Sequence, residues 1–169
     1  MKIGITGTTS GIGKSIMTLP YTFVEFNRND GDIHDTALVY EKLKECDVFI
    51  NNAWDKDCQT KLLKLFFSKW MEYPKKIISI GSSVASYKPS GTGYNKYVVH
   101  KRELRTAHLD IVNRKTKNCK SYLINPGVTD TKLTMYQNRK KMSVQDVSDI
   151  VRFVLENKLY IPEIYFYVE

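Results

Sequence analysis

The stretch that decides the fold is TGTTSGIG, residues 6–13, which directly follows the alternating apolar start MKIGI, residues 1–5. This pattern predicts a short buried strand, a tight turn, and a helix that begins near Gly11. Glycines let the backbone approach a phosphate group closely, and the free N–H groups in the first turn of a helix attract its negative charge. We therefore expect a nucleotide to bind at this turn, with a plain tight turn as the alternative.

Strand-like and helix-like segments alternate along the rest of the chain. The predicted strands after the first cover residues 21–26, 47–51, 76–80, 121–124 and 164–168. The predicted helices cover residues 11–19, 35–45, 57–72, 94–114 and 143–156. Asp35 and Ser143 are candidate N-caps, and Pro20 keeps the first helix short. The alternation predicts a single Rossmann-like α/β domain over residues 1–169, with a doubly wound parallel sheet between two layers of helices (three-layer αβα).

The composition is that of a globular protein without a membrane segment. Of the 169 residues, 42% are hydrophobic and 26% are charged, which is the usual balance in soluble domains. No apolar run is long enough to span a bilayer, and the N-terminus lacks the apolar core of a signal peptide, so we expect a cytoplasmic protein. The three cysteines, Cys46, Cys58 and Cys119, have no metal-ligand spacing, and we expect no metal site.

The net charge of +8 favours anionic partners, such as phosphate-bearing cofactors, acidic carrier proteins or nucleic acid. The densest basic runs, residues 114–117 and 139–141, contain no interleaved aromatic residues on which bases could stack. A position on a solvated face or at a helix end accounts for both basic runs. We therefore do not expect nucleic-acid binding. A basic nucleic-acid-associated protein remains an alternative from another class.

Five motifs in a fixed order resemble the short-chain dehydrogenase/reductase family over nearly the full chain. They are TGxxxGIG at residues 6–13, NNA at 51–53, a serine after the strand 76–80, Tyr97-x-x-x-Lys101, and NPGVTDT at 125–131. The resemblance implies a nicotinamide dinucleotide cofactor and the reduction of a carbonyl or oxidation of an alcohol in a small-molecule substrate. It also implies a homo-oligomer, a dimer or tetramer packed through the helices at 57–72 and 94–114.

The same resemblance implies which residues bind the cofactor. They lie in the glycine turn, after the second and third strands, on the helix with the tyrosine, and after the fifth strand. They are Gly7, Thr8, Ser10, Gly11, Ile12, Gly13, Asn27, Arg28, Asp32, Ile33, Asn52, Ala53, Tyr97, Lys101, Pro126, Gly127, Thr129 and Thr131.

The residues after the second strand indicate which dinucleotide is preferred. An acidic side chain there accepts hydrogen bonds from the adenosine ribose and repels a 2′-phosphate. This chain has Asn27-Arg28 at that point, and a guanidinium forms paired hydrogen bonds with phosphate. We therefore expect NADP(H) to be favoured over NAD(H). The alternative is that Arg28 is only a solvated arginine in a turn.

The candidate catalytic pair is Tyr97 and Lys101. The pattern Tyr-x-x-x-Lys also occurs at residues 40–44 and 136–140, but only residues 97–101 lie between the serine-ended strand and the next strand. A nearby ammonium group favours the phenolate, so Lys101 is expected to lower the pKa of Tyr97 and let it exchange a proton with the substrate. The resemblance gives Lys101 a second task, binding the nicotinamide ribose. An exposed helical pair is the alternative.

The third catalytic group is a serine hydroxyl that hydrogen-bonds the substrate oxygen. Ser82 and Ser83 both follow the strand 76–80. The resemblance and the spacing to the tyrosine favour Ser83. The alternative is that the two serine hydroxyls only form hydrogen bonds with backbone groups of the loop.

Several departures from the family qualify this reading. Trp54 stands where the family usually has glycine, and no asparagine lies near Thr60 and Lys61, where the family has one that supports a proton-relay water. The chain is also shorter than most members, especially after Thr131. The alternative is therefore a dinucleotide-binding sensor or regulator with weak or no turnover.

Overall fold

The computed structural model describes residues 1–86, 95–115 and 118–168. Within these ranges six β-strands alternate with five α-helices, and two short 3₁₀ turns cover Ser83–Ala85 and Lys132–Thr134. In chain order the elements are β1 (Lys2–Thr6), α1 (Gly11–Ile16), β2 (Thr22–Phe26), α2 (Thr36–Leu43), β3 (Val48–Asn51), α3 (Cys58–Trp70), β4 (Lys76–Ile80), α4 (Lys96–Val112), β5 (Lys120–Pro126), α5 (Val144–Glu156) and β6 (Glu163–Phe166).

The strands form one parallel sheet in the order β2-β1-β3-β4-β5-β6, which confirms the predicted doubly wound α/β fold. The chain adds β2 on one side of β1 and then crosses to the other side, where β3 to β6 follow in turn. The change of direction lies between β1 and β3, so a crevice opens beyond the carboxyl ends of these strands. Compared with the six-stranded Rossmann order, which has three strands on each side, the β2 side has one strand fewer and the opposite side has one strand more.

Helices cover both faces of the sheet, and each interface has its own apolar core. One face packs against α1 and α5, with buried residues such as Ile5, Ile16 and Val151. The opposite face packs against α2, α3 and α4, where Phe49 and Phe66 stack with ring centroids 3.9 Å apart. The predicted three layers are therefore present. None of the helices in the described ranges combines the length and the apolar character needed to cross a membrane.

Side-chain caps fix the starts of three helices. Asp35 accepts a hydrogen bond from the Leu38 amide at the start of α2, and Ser143 forms a reciprocal capping box with Asp146 on α5. Asn95 caps α4 by accepting from the Tyr97 amide at 3.0 Å. The predicted start of this helix, residue 94, lies outside the described residues. The cap at Asn95 thus fixes the start of α4 at the backbone of Tyr97.

Candidate active site

The glycine turn joins β1 to α1 with two residues in the left-handed backbone region, Gly7 at φ +73° and Gly11 at φ +54°. Gly13 is required for a different reason. A β-carbon there would lie 1.9 Å from the Gly7 carbonyl oxygen, which is backbone and cannot move aside. Glycine at these positions lets the start of α1 pack directly over the end of β1.

Asn52 ties this turn to the end of β3. Its side-chain amide donates to the carbonyl oxygens of Thr6 (3.0 Å) and Gly7 (2.9 Å). The Thr6 hydroxyl in turn accepts from the backbone amides of Asn52 and Ala53, both at 3.1 Å. The carboxyl ends of β1 and β3 are therefore held together by side chains as well as by the sheet.

The first part of the cleft, which we call the glycine-turn half, lies beyond the ends of β1, β2 and β3 and has a volume of about 850 Å³. Eleven of the predicted cofactor residues line it. They are Gly7, Ser10, Gly11, Ile12, Asn27, Arg28, Asp32, Ile33, Asn52, Ala53 and Thr131. Thr8 and Gly13 do not line the cleft: the Thr8 hydroxyl points to Glu25, and Gly13 lies against the backbone of the turn.

The charged residues that line the glycine-turn half are Arg28, Asp32, Asp55 and Lys132. No ion pair among the described residues includes Arg28, which is exposed. The nearby Glu25 carboxylate accepts hydrogen bonds from Thr8 and from the Asn27 side chain (3.2 Å), and Glu25 does not line the cleft. Asp55 lies 3.2 Å from His34 across the rim. The guanidinium is thus available to an anion at this end.

The second part, the tyrosine half, adjoins the first through Ile12, Asn52, Trp54, Thr131 and Leu133, which line both. Its volume is about 710 Å³. The predicted catalytic residues Ser83, Tyr97 and Lys101 line it, together with Ser82 and the predicted cofactor residues Pro126, Gly127, Thr129 and Thr131. The fold thus gathers residues from four separate segments into one cleft.

Tyr97 lies between Ser82 and Trp54. The Ser82 side chain interacts with the Tyr97 hydroxyl and lowers its pKa, and the Trp54 ring packs edge-on against the phenol ring at a centroid distance of 4.9 Å. Ser83, the serine favoured from the sequence, begins the 3₁₀ turn and lines the same half of the cleft. The contact with the tyrosine belongs to Ser82.

The pKa of Tyr97 differs from the sequence-based expectation. Burial raises this pKa, and the interaction with Ser82 opposes the increase in part. We expected Lys101 to lower it, and this was wrong for the protein without cofactor. The reason is that burial also lowers the pKa of Lys101, to about 7, so that near neutral pH a large share of the amine is uncharged.

Lys101 is only 4% exposed and is held by two acceptors. Its Nζ donates to Gln59 Oε1 at 2.7 Å and to the Ile80 carbonyl oxygen at 2.8 Å. The same Nζ lies 5.5 Å from the centroid of the Tyr97 ring. The lysine is therefore positioned between the end of β4, helix α3 and the tyrosine.

Gln59 was missed by the sequence analysis. It is 2% exposed, and its Nε2 donates to the carbonyl oxygens of Asn51 (2.8 Å) and Ile80 (3.0 Å) while its Oε1 accepts from Lys101. The family resemblance implies an asparagine near residues 60–61, whereas this chain has the longer amide at residue 59. An amide side chain on the buried face of the helix after NNA is the signal that could have identified it.

A polar chain behind the site holds the Ser82 loop. The Asn125 side chain accepts from the Ser82 backbone amide (3.1 Å) and donates to Glu163 (3.0 Å). Glu163 pairs with Arg105 through two hydrogen bonds of 2.7 and 3.1 Å, and these contacts help to lower the carboxyl pKa despite burial. Asn125 thus connects the serine loop to α4 and β6.

The segment after β5 forms the outer wall of the tyrosine half and is anchored at both ends. Asp130 and Met142 pair through their backbones at 2.8 Å, and a capping box of Thr131 and Thr134 opens the intervening turn. The wall then contains Gln137, Asn138 and Arg139, all exposed and all facing the cleft. From the sequence alone, Arg139 is expected only to be part of the solvated basic run at residues 139–141.

Comparisons with known proteins identify the fold. No protein-family model matches the sequence, and no curated protein matches it. Among solved structures, the chain is similar to a serine dehydrogenase complexed with NADP⁺, with a TM-score of 0.77 and 18% identity, over 98% of this chain and 94% of the other. It is similar to a 3-ketoacyl-(acyl-carrier-protein) reductase from Brucella melitensis complexed with NADH, with a TM-score of 0.75 and 13% identity, over 98% and 96% of the two chains. A short-chain dehydrogenase/reductase from Vibrio parahaemolyticus matches with a TM-score of 0.75 and 16% identity, over 99% of each chain. This protein therefore has the fold of the short-chain dehydrogenases/reductases.

Proposed function

We propose that this protein is an NADP(H)-dependent oxidoreductase that reduces a carbonyl group, or oxidises an alcohol, in a small-molecule substrate. The observation that carries the proposal is the convergence of Ser82, Tyr97 and Lys101 in one half of a cleft whose other half is built on the glycine turn. Proteins of the same fold have been solved with NADP⁺ and with NADH, and they are named as dehydrogenases and reductases.

The cleft suits a dinucleotide. The glycine turn leaves room for a pyrophosphate where side chains would otherwise stand, and the two adjoining halves provide about 850 and 710 Å³. Arg28 would hold the 2′-phosphate of NADP(H), since no ion pair among the described residues engages it. When bound, the nicotinamide supplies or accepts the hydride.

Tyr97 would act as the proton donor in the direction of reduction. Its raised pKa keeps the hydroxyl protonated at neutral pH, so the group can give its proton to the substrate oxygen as negative charge develops there. The Ser82 hydroxyl would hydrogen-bond the same oxygen, and its contact with Tyr97 supports Ser82 over Ser83 in this role. Trp54 would exclude water from one side of the tyrosine.

Lys101 would serve both the tyrosine and the cofactor. Its Nζ lies close to the tyrosine ring and at the edge of the tyrosine half, where ribose hydroxyls would add acceptors to those that Gln59 and Ile80 provide. A polar ligand there also restores part of the solvation that burial removes, which raises the lysine pKa and favours the ammonium form.

Replacing Tyr97 by phenylalanine tests the proposed chemistry. NADPH oxidation is first screened with small ketones, quinones and acyl-carrier mimics, and the best substrate is then used for kinetics. Tyr97→Phe keeps the ring packing and removes the proton, so turnover should fall by at least ~10²-fold with cofactor binding little changed.

Two tyrosines that share the Tyr-x-x-x-Lys pattern serve as matched controls. Tyr40 packs against Phe66 in the core and Tyr136 is 91% exposed, and neither lines the tyrosine half. Tyr40→Phe and Tyr136→Phe should keep near-normal turnover. Turnover that survives Tyr97→Phe would remove the mechanism.

The cofactor preference has its own measurement. Calorimetric titration should show tighter binding of NADPH than of NADH. Arg28→Asp should weaken NADPH binding by about 2–3 kcal/mol, through loss of a charge-assisted hydrogen bond and added repulsion, and should spare NADH. Equal or stronger binding of NADH by the wild type would contradict the NADP(H) assignment.

A second candidate, a dinucleotide-binding sensor or regulator with weak or no turnover, is favoured by two contacts. Lys101 Nζ already has two protein acceptors, and Trp54 covers part of Tyr97. Tight NADPH binding without turnover in the whole substrate screen would select this function. Failure to bind either dinucleotide would contradict both candidates.

Self-association through α3 and α4 and a cytoplasmic location belong to the same proposal. Light scattering coupled to size-exclusion chromatography measures the self-association, with a dimer or tetramer expected.

Nucleic-acid binding has a separate test. The absence of salt-sensitive binding to nucleic acid would agree with a small-molecule enzyme, whereas affinity that falls steeply with salt would support a nucleic-acid partner.

A further inference from the structure

The tyrosine half of the cleft has an uneven charge. Among the described residues that line it, only Lys101 and Arg139 are charged, and none carries a carboxylate. The amine of Lys101 is buried and bonded to Gln59 and Ile80. The available charge facing this space is therefore the guanidinium of Arg139.

Arg139 forms no ion pair within the described part of the chain, and its acidic neighbour Asp130, which lines a second surface pocket with it, pairs with Lys141. Two other arginines of these ranges form ion pairs, Arg105 with Glu163 and Arg152 with Asp149. Asp130, on the same segment as Arg139, lies 3.7 Å from Lys141 and does not line the tyrosine half. A guanidinium without a carboxylate partner at the wall of a cleft is suited to bind an anion from outside the protein.

The segment after β5, which forms the outer wall and carries Arg139, is held in place by contacts within the protein. The backbone pairing of Asp130 with Met142 and the Thr131–Thr134 capping box hold the segment at its ends. The side-chain amides of Gln137 and Asn138 line the same half and add donors beside the guanidinium. A substrate whose carbonyl oxygen meets Ser82 and Tyr97 would extend across the cleft toward these groups.

We propose that the substrate is an anionic carbonyl compound and that Arg139 binds its carboxylate or phosphate group. This inference rests on the proposed oxidoreductase function and adds the substrate class to it. In the reduction, the carbonyl carbon receives a hydride from NADPH and the oxygen receives the Tyr97 proton, so that a hydroxy acid or hydroxyalkyl phosphate and NADP⁺ are formed. The phenolate then regains its proton from solvent.

Matched pairs of substrates test this inference by turnover. The carboxylate arm compares 2-oxobutanoate, 4-oxopentanoate and 6-oxoheptanoate with their methyl esters, and the phosphate arm compares dihydroxyacetone phosphate with dihydroxyacetone. We expect at least one anion to exceed its neutral partner ~10-fold or more in kcat/KM. The best chain length reports the spacing between the carbonyl and the anion site, and the better arm identifies the anion.

Variants of Arg139 connect that preference to the guanidinium. Arg139→Ala should lower kcat/KM for the preferred anion by about 10- to 100-fold and change that for the neutral partner by less than ~2-fold. Arg139→Lys should recover only part of the loss, because an ammonium group lacks the paired donors. Arg152→Ala, which removes the same charge from an arginine outside the cleft, should leave both substrates unaffected.

Binding measurements separate this inference from the proposed function. Ligand-observed NMR measures each probe with protein saturated with NADP⁺. Anion binding that depends on Arg139, without turnover of any probe, would keep the anion site and overturn the oxidoreductase proposal. Turnover of anionic and neutral partners at equal rates, unchanged in Arg139→Ala, would overturn the anion site and keep the oxidoreductase. Absence of both binding and turnover of the anionic probes would also overturn the anion site.

Discussion

A single amide side chain, Gln59, determines the environment of Lys101. The glutamine uses its donor group on the backbone of two neighbouring strands, at Asn51 and Ile80, and its acceptor on the lysine amine. A buried amine costs free energy unless it is hydrogen-bonded or loses its charge, and here both occur. Burial lowers the pKa of Lys101 to about 7, and the hydrogen bonds to Gln59 and Ile80 fix the position of its Nζ.

Replacing Gln59 by glutamate should move the titration of Lys101 to higher pH. A carboxylate in contact with the amine favours the ammonium form, so NADPH binding that depends on this charge should persist to higher pH than in the wild type. Calorimetric titrations of NADPH from pH 6 to 9 measure the midpoint pH at which NADPH binding is lost. Gln145→Glu, on the exposed side of α5, is the matched control and should leave the midpoint unchanged. An identical midpoint in Gln59→Glu would mean that Gln59 does not set the lysine charge.

Two glycines of the turn between β1 and α1, Gly11 and Gly13, have different roles. Gly13 packs against the backbone of the same turn, whereas a β-carbon on Gly11 would point toward Thr131 at 3.4 Å, at the edge of the cleft. Gly11 also needs its left-handed conformation, which costs a β-branched residue most. Gly13 is therefore needed for folding, whereas Gly11 is needed both for folding and to leave space for a ligand.

Two substitutions in this turn should have different consequences. Gly11→Val should abolish measurable NADPH binding and leave the circular dichroism spectrum near that of the wild type, because the added side chain occupies the glycine-turn half. Gly13→Ala should lower the free energy of unfolding by more than the usual cost of overpacking, about 1–3 kcal/mol, because the added carbon would lie 1.9 Å from the Gly7 carbonyl oxygen. Gly4→Ala on β1, whose added carbon would meet only side chains of Leu43 and Cys46, should keep NADPH binding. Wild-type NADPH binding by Gly11→Val would mean that the phosphate site lies elsewhere.

At the scale of the whole molecule, the parallel sheet places all strand ends with functional residues at one edge. The turn after β1, the NNA segment after β3, the serines after β4 and the loop after β5 meet there because every strand runs in the same direction. Helix α4 then carries Tyr97 and Lys101 over this edge. The same arrangement buries Lys101, so the site affects the stability of the whole domain.

The buried lysine should make the stability of the protein depend on pH. The folded pKa is lowered to about 7, so from pH 7 upward the unfolded chain binds more protons at this residue than the folded protein does. Between pH 7 and 8.5 this residue should therefore raise the free energy of unfolding with pH, by up to about 1.4 kcal/mol per pH unit. Below about pH 6 both states are protonated and its contribution no longer changes.

Urea unfolding of the wild type and Lys101→Met measures this effect. The variant loses hydrogen bonds and has its own stability, but the difference in slope between the two proteins belongs to the lysine, since all other titrating groups are shared. Lys14→Met, which changes an exposed lysine on α1, is the control and should follow the wild type. Parallel slopes for wild type and Lys101→Met would show that the lysine keeps its charge when folded.

The sequence by itself determined the parallel α/β fold, the order of its elements and most of the cleft. These features depend on local patterns: apolar alternation marks the strands, glycines mark the turn at residues 6–13, and the carboxyl ends of parallel strands share one edge. Sixteen of the eighteen predicted cofactor residues line the two halves of the cleft; Thr8 and Gly13 are the exceptions.

Only the tertiary structure decided the contacts between residues distant in sequence. The partner of Lys101 is Gln59, 42 positions away, and no local pattern indicates that the two meet. The contact of Tyr97 with Ser82, the direction of the tyrosine pKa shift and the place of Arg139 in the cleft likewise depend on how α4 and the loop after β5 pack over the sheet. Burial and the identity of the neighbouring groups set these properties, and both arise only when separate elements come together.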